Sequence, residues 1–302
     1  MFNFKKNIYT AGISKIHQIG LSCNPLPPVA YGGIETIITN LSRGLVEKGI
    51  PVICYSPLPF KIKGVEHYPT LKECTLGPKE GVFLANTEEH LKKIVQGINE
   101  NWEPGDIIHL HHPEQYPYLC EKLKKKWFKN YRFLETAHWT RVALGKNIAY
   151  PSQAIQQAIK KPGKLIFHGI DLSLFKPQPN QQGYILYAGR VTKDKGVHIG
   201  AEAAAEYGIE FRVAGPLSDR EYAATFMDKV NYLGELESEA LASQYQGALA
   251  LVYMTKYTEP FGLSVVEAMA CGTPVITTGR GGTGETVVNG ETGFFCQTKA
   301  EV

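Results

Sequence analysis

Short apolar runs alternate along the chain with stretches in which apolar residues recur every three or four positions. Runs at 15–20, 51–56, 106–111, 132–137 and 164–167 read as strands. Ile34, Ile37, Ile38, Leu41 and Leu45 share one helical face, and Gly49 ends that helix. Asn86 followed by Thr87, Glu88 and Glu89 predicts an Asn-capped helix reaching about Gly97. The polar, proline-containing stretch 175–183 reads as a linker. Beyond it the alternation restarts, with strands at 184–188, 210–214, 249–253 and 273–277 and helices at 196–207, 237–246 and 263–270. Strand and helix in alternation predict an α/β fold of two doubly wound parallel-sheet domains, residues 1–176 and 183–302. Ligands of such sheets bind at the carboxyl ends of strands, which places a ligand in a cleft between two such domains.

Composition changes this picture little. A chain of 302 residues is long enough for two cores, and a net charge of +3 does not call for nucleic acid. The six cysteines are scattered without a C-x-x-C pair, as expected of reduced thiols in a cytoplasmic protein. No apolar run has the length of a membrane span. Residues 1–14 lack the apolar segment of a signal peptide and read as a short extension.

The candidate chemistry centres on 259–282. Pro260-Phe261-Gly262 forms a turn that opens the helix beginning at Leu263, and Gly272 stops it. A glycine loop feeding a helix N-terminus offers backbone N–H groups where the helix dipole is positive, a setting for phosphate oxygens. Glu259 precedes that turn and Glu267 lies about two turns into the helix. Carboxylates do not bind phosphate, but they accept hydrogen bonds from hydroxyls on the same ligand. A diphosphate flanked by two polyhydroxy groups is a sugar nucleotide. Gly189-Arg190 at one strand end and Lys195-Gly196 at the next helix start supply two cations for such a diphosphate, or simply charge an exposed loop. Gly32-Gly33 permits close backbone approach to a ligand, or serves a structural turn. His109, His111 and His112 complete no metal-ligand set, so strand-end packing or substrate contact is expected and no metal site. His138 stands at a strand's carboxyl end, placed for chemistry or for the core. The basic segment 121–132, with Leu123, Trp127 and Phe128 among lysines, reads as a solvated helix end. The alternative is peripheral contact with an anionic membrane.

Together these motifs resemble the retaining nucleotide-sugar glycosyltransferases of family 4, which have the GT-B fold of two facing Rossmann-like domains. The resemblance rests on Y-G-G-I-E, D-I-I-H-L-H-H, T-A-H-W, S-Q-A-I, H-G-I-D-L-S-L-F-K-P, G-R-V-T-K-D-K-G, and the stretch from Glu259 through T-G-E-T-V-V-N-G-E-T-G-F. It implies that Arg190 and Lys195 bind the donor diphosphate, Glu267 the ribose and Glu259 the donor sugar. It implies that backbone at Phe261, Gly262 and Leu263 reaches sugar and phosphate, and that Gly33 approaches the phosphates. His138 is expected beside the reacting carbon. The implied activity is metal-independent, cofactor-free hexosyl transfer with retention, from a UDP-, GDP- or ADP-sugar to a glycan, lipid or small-molecule hydroxyl. In that chemistry Glu259 and Glu267 are not the paired carboxylates of a glycosidase. Base contacts are expected from backbone near 233–236, and acceptor contacts near 25–31 and 111–116.

The chain departs from the family pattern at His168, where Asn is usual, and at Gly284, where Pro is common and whose absence predicts a mobile loop. It stops at Val302, where relatives continue with helices that cross back to the first domain, so a minimal member or one lacking that closure is expected. A sugar-nucleotide epimerase on the same fold and a non-catalytic sugar-nucleotide binding module are the competing readings.

Overall fold

The computed structural model describes residues 12–75, 87–123, 131–139, 142–178 and 182–302. Among these, the first sheet contains β1 (Ile16–Ile19), β2 (Val52–Ser56), β3 (Glu66–Pro69), β4 (Ile107–Leu110), β5 (Arg132–Thr136), β6 (Ile148–Tyr150) and β7 (Lys164–Leu165), in the order β3-β2-β1-β4-β5-β6-β7. The helices that follow its strands in the chain are α1 (Gly33–Glu47), α2 (Glu88–Asn101), α3 (Gln115–Lys122) and α4 (Gln153–Ile159), the last of which belongs to the second compact unit. The pairs β3-β2, β2-β1, β1-β4, β4-β5 and β5-β6 are parallel. Strand β2 shows why this sheet is covered on both faces. Ile53 and Tyr55 pack with Ile19, Ile94, Ile98 and Leu110, while Val52 and Cys54 pack with Ile38 and Leu26. Alternate side chains of one strand thus enter two cores, the signature of a parallel sheet sandwiched by helices.

The second sheet repeats the plan. It comprises β8 (Tyr184–Ala188), β9 (Glu210–Ala214), β10 (Asn231–Gly234), β11 (Ala248–Tyr253), β12 (Val275–Thr277) and β13 (Gly293–Phe295), ordered β10-β9-β8-β11-β12-β13. Every pairing is parallel. Helices α5 (Val197–Tyr207), α6 (Arg220–Ala224), α7 (Ser238–Gly247), α8 (Leu263–Ala270) and α9 (Thr283–Thr286) connect them. Leu186, Val213, Leu251 and Val275 from the strands close with Ala201, Ala204 and Val265 from the helices in one core. In both sheets the strand order reverses beside the first strand, so the topological switch points lie between β1 and β4 and between β8 and β11.

The chain folds into two compact units, and their division does not follow the polar linker. The second unit reaches back to Leu165 and takes in residues 29–33 and 151–160. Phe175, read as part of the linker, is buried in the second core with Ile170 and Leu174 against it. Helix α2 is capped by Thr87, whose hydroxyl accepts from His90 N at 3.2 Å, and not by Asn86, which lies outside the described residues. Strands β3 and β13 are short, sit at sheet edges and are largely exposed. Most of the basic segment 121–132, including Trp127 and Phe128, lies outside the described residues. Among the described residues no helix is long and apolar enough to cross a membrane, and all six cysteines are unpaired thiols.

Candidate functional site

The second switch point gathers most of the residues singled out by sequence. Strand β8 ends at Ala188, and Gly189 N bonds Ala214 O at 2.9 Å, keeping the following turn against the sheet. Arg190 follows, its carbonyl accepting from Tyr187 OH at 2.7 Å and its side chain hydrogen-bonded to Tyr31. A short 3-10 turn, Lys193–Lys195, then leads into α5 through Gly196. Gly196 has φ 69°, and a β-carbon there would run into the carbonyl of Met254. Only glycine lets α5 start this close to the end of β11, and that closeness carries Lys195 to the switch point.

Lys195 is buried, 5% exposed, and so is Glu259 at 7%. Their side chains form an ion pair, Nζ to Oε2, at 2.7 Å. Nζ also donates to Tyr253 OH at 2.8 Å and to Tyr257 OH at 3.0 Å, and Tyr253 OH donates to Glu259 Oε2 at 2.8 Å. Burial first, and the Glu259 charge second, push both tyrosine hydroxyls far above their ordinary range, so both are O–H groups. The Glu259 backbone is fixed from behind. It forms an isolated bridge with Gly281, and its carbonyl accepts from Gly282 N at 2.7 Å. Gly281 has φ 69° and lies so close to the Glu259 backbone that no side chain fits. The loop 279–284 is therefore pinned to Glu259 at its centre, and Gly284 N bonds Gly281 O at 3.1 Å. The expected looseness at Gly284 is replaced by these bonds and by helix α9 starting at Thr283.

Phe261 is buried, with the His168 ring edge-on at 5.1 Å and Phe167 at 6.2 Å. Burial drives the His168 imidazole down to about 4, so it is neutral at pH 7 and packs as a ring where an Asn amide was expected. Gly262, at φ 88°, opens α8 and no side chain caps that N-terminus; Leu263 is its first residue and lies 3.9 Å from where a β-carbon on Gly33 would stand. Glu267 is buried in α8, and its Oε2 accepts from Tyr245 OH at 3.1 Å. Burial raises its carboxyl from 4.5 to about 7, the hydrogen bond from Tyr245 opposing. Glu259 and Glu267 thus have separate partners, Lys195 and Tyr253 for the first and Tyr245 for the second.

The first unit carries His138 just past β5, 8% exposed. Its Nε2 lies 3.1 Å from His111 Nδ1, and His111 Nε2 lies 2.8 Å from Gln18 Oε1. An amide oxygen only accepts, so His111 Nε2 carries a proton. The His111 and His138 rings thus meet through one nitrogen each. Gln115 braces the same corner, accepting from His111 N and His112 N at 3.0 and 3.1 Å and donating to Gly20 O at 3.0 Å. His109 bonds Thr136 at 2.8 Å, and His112 packs edge-on against Trp139. The three histidines of the His-Leu-His-His run thus have different tasks. Among the described residues no group of three potential ligands could hold a metal ion.

A sequence profile described as "Glycosyl transferases group 1" matches residues 173–302. The chain is 35% identical to the D-inositol 3-phosphate glycosyltransferase of Rhodococcus erythropolis, over 88% of this chain and 75% of that protein. The chain belongs to the group 1 glycosyltransferases. Its fold matches sucrose-phosphate synthase from Thermosynechococcus elongatus with a TM-score of 0.72, at 21% identity over 95% of this chain and 87% of that one. It also matches Anabaena HepE, solved with UDP and glucose, with a TM-score of 0.69 at 18% identity over 95% and 86%. The two parallel-sheet domains of this glycosyltransferase are those of the GT-B fold.

Sequence reasoning missed the groups that hold the site residues in place. Tyr245 and Tyr253 read as aromatic residues of a helix and a strand, Gln18 as a strand interior, and Tyr257 was not singled out. Their polar ends carry no periodic signal. The one available hint is chemical: a tyrosine or glutamine at an otherwise apolar, buried position needs a partner for its polar atoms.

Proposed function

We propose that this group 1 glycosyltransferase moves a hexose from a nucleoside-diphosphate sugar to a hydroxyl with retention of anomeric configuration and without a metal ion. The observation that carries this reading is the buried Lys195–Glu259 pair beside Arg190 at the carboxyl ends of β8 and β11. A charged pair taken out of water at a ligand-binding switch point is costly unless a ligand uses it. Arg190, Lys195 and the uncapped start of α8 would neutralise charge building on the β-phosphate as the leaving group departs. These fixed positive groups are the reason no metal is needed. Glu259 would accept from sugar hydroxyls and Glu267 from the ribose. Backbone at Phe261, Gly262 and Leu263 would meet sugar and phosphate oxygens, and Gly33 the phosphates. His138 would stand beside the sugar's reacting carbon, where its backbone carbonyl or side chain would help stabilise the positive charge developing there. The acceptor oxygen attacks carbon 1 from the face the diphosphate leaves, and the departing phosphate takes its proton.

UDP-sugars are the first donors to try, because the HepE structure holds UDP and glucose; GDP- and ADP-sugars follow. The test is nucleoside diphosphate release from each donor in the presence of glycan, lipid and small-molecule acceptors, with and without EDTA. The reading requires release that depends on acceptor, persists in EDTA and yields a product of the donor's own anomeric configuration. An inverted product, or activity abolished by EDTA and restored by a divalent cation, would contradict it.

A further inference from the structure

Lys195 has no hydrogen-bonding capacity left. Its ammonium carries three protons, and Nζ meets three acceptors: Glu259 Oε2 at 2.7 Å, Tyr253 OH at 2.8 Å and Tyr257 OH at 3.0 Å. Any phosphate or sugar oxygen that Lys195 is to hold must replace one of these. Glu259 is under no such limit, since a carboxylate offers about four lone-pair sites.

The three partners are not equally replaceable. Releasing Glu259 would leave two buried charges unpaired, which is severely unfavourable. Tyr253 is the last residue of β11, 4% exposed, with its ring parallel to that of Tyr187 at 5.9 Å and 13°. It has no room to leave. Tyr257 lies in the connection between β11 and α8, outside any strand or helix and only partly buried. Its bond to Lys195 is the longest of the three. Its hydroxyl also lies near Glu259 and Arg190. A hydroxyl that accepts from a lysine beside a carboxylate stands where a donor oxygen would stand.

We propose that Tyr257 is a placeholder, its hydroxyl occupying on Lys195 the position of a donor oxygen and giving way when the donor binds. Tyr253 is the positioning residue that keeps Lys195 and Glu259 paired in both states. The inference rests on the reading above, in which Lys195 and Glu259 are donor ligands, and it adds that two tyrosines of one cluster act on binding with opposite sign. Tyr257→Phe removes a competitor and leaves Lys195 with an unused proton. Tyr253→Phe removes a support from the pair that the ligand needs.

The experiment is calorimetric titration of UDP-, GDP- and ADP-glucose into the wild-type chain, then of the tightest binder into Tyr257→Phe and Tyr253→Phe. Thermal melts confirm that each variant is folded. Tyr257→Phe is expected to bind the probe on the order of threefold to tenfold more tightly, and Tyr253→Phe about tenfold more weakly. Equal or weaker binding by Tyr257→Phe overturns the placeholder; weaker binding would make Tyr257 a ligand of the diphosphate. Unchanged binding by Tyr253→Phe overturns its positioning role, and if that variant does not fold, the sign for Tyr257→Phe alone decides the proposal. Wild-type chain that binds none of the three probes refutes the donor-site reading itself, and the placeholder with it, a result distinct from wild-type binding that Tyr257→Phe fails to improve.

Discussion

Glu267 links the candidate site to pH. Its carboxyl is lifted from 4.5 to about 7 because the side chain is buried in α8 with Tyr245 as its hydrogen-bond donor. In the folded chain it holds a proton up to about pH 7, whereas in the unfolded chain it loses that proton near 4.5. Stability from this group is therefore complete below 4.5 and is lost as the pH rises to about 7. At about 1.36 kcal/mol per pH unit the interval corresponds to about 3 kcal/mol. Glu267→Gln keeps the shape and an acceptor for Tyr245 but cannot ionise. Denaturant unfolding of both proteins between pH 5 and pH 8 reads the difference directly. The wild type is expected to lose about 2–3 kcal/mol relative to the variant across that range, with the slope vanishing above pH 7. If the two curves run parallel, Glu267 does not titrate in that range and the reasoning from its burial is refuted. A ribose that donates to this carboxylate favours its ionised form, so a nucleotide sugar, whose diphosphate does not titrate here, should bind on the order of tenfold more tightly at pH 8 than at pH 5.5. The glutamine variant should lose that dependence.

Other outcomes follow from the same contacts. Lys195→Met leaves Glu259 buried without its cation and should destabilise the chain by about 3–5 kcal/mol in denaturant unfolding; Lys195→Met with Glu259→Gln should recover most of that stability without recovering turnover. His111→Leu removes the polar partner that holds His138, so kcat should fall at least tenfold with donor KM little changed, and His111→Asn, which keeps a polar group near the Nδ1 position, should restore part of it. Gly196→Ala should cost several kcal/mol and turnover together, because the added carbon meets the Met254 carbonyl and pushes α5 and Lys195 off the end of β11; an unchanged melting temperature would show that the helix start can shift.

What the sequence disclosed depended on how locally each feature is encoded. Helix α8 was read to the residue, because Gly262 and Gly272 mark both its ends. The two doubly wound sheets were legible because their central strands are apolar on both faces, as β2 and β8 are. Edge strands β3 and β13 were not, since a largely exposed strand of three or four residues has no contrast with a loop. The cap of α2 was missed by one residue because Asn86 and Thr87 are both good caps and only geometry chooses between them. At the site, Arg190 and Lys195 were picked out by charge beside glycine, and Glu259 and Glu267 as carboxylates on either side of the turn that opens α8. That Lys195 and Glu259, far apart in sequence, bind each other was beyond reach, as was the part of Tyr253 and Tyr257 between them. Long-range pairing of buried polar groups depends on register and topology, not on neighbouring residue types. The same holds for Gln18, His111 and His138, which three different strands bring to one corner.

The central claim is that the second unit binds the donor diphosphate at the ends of β8 and β11. It is tested most directly by titrating UDP-, GDP- and ADP-glucose, in EDTA, into the wild-type chain and into Arg190→Ala, a substitution that leaves the buried Lys195–Glu259 pair intact. The account predicts that at least one of these sugar nucleotides binds the wild type and that its affinity falls about thirtyfold or more in the variant, the loss of a charge-assisted contact to phosphate. Equal affinity for the two proteins would contradict it.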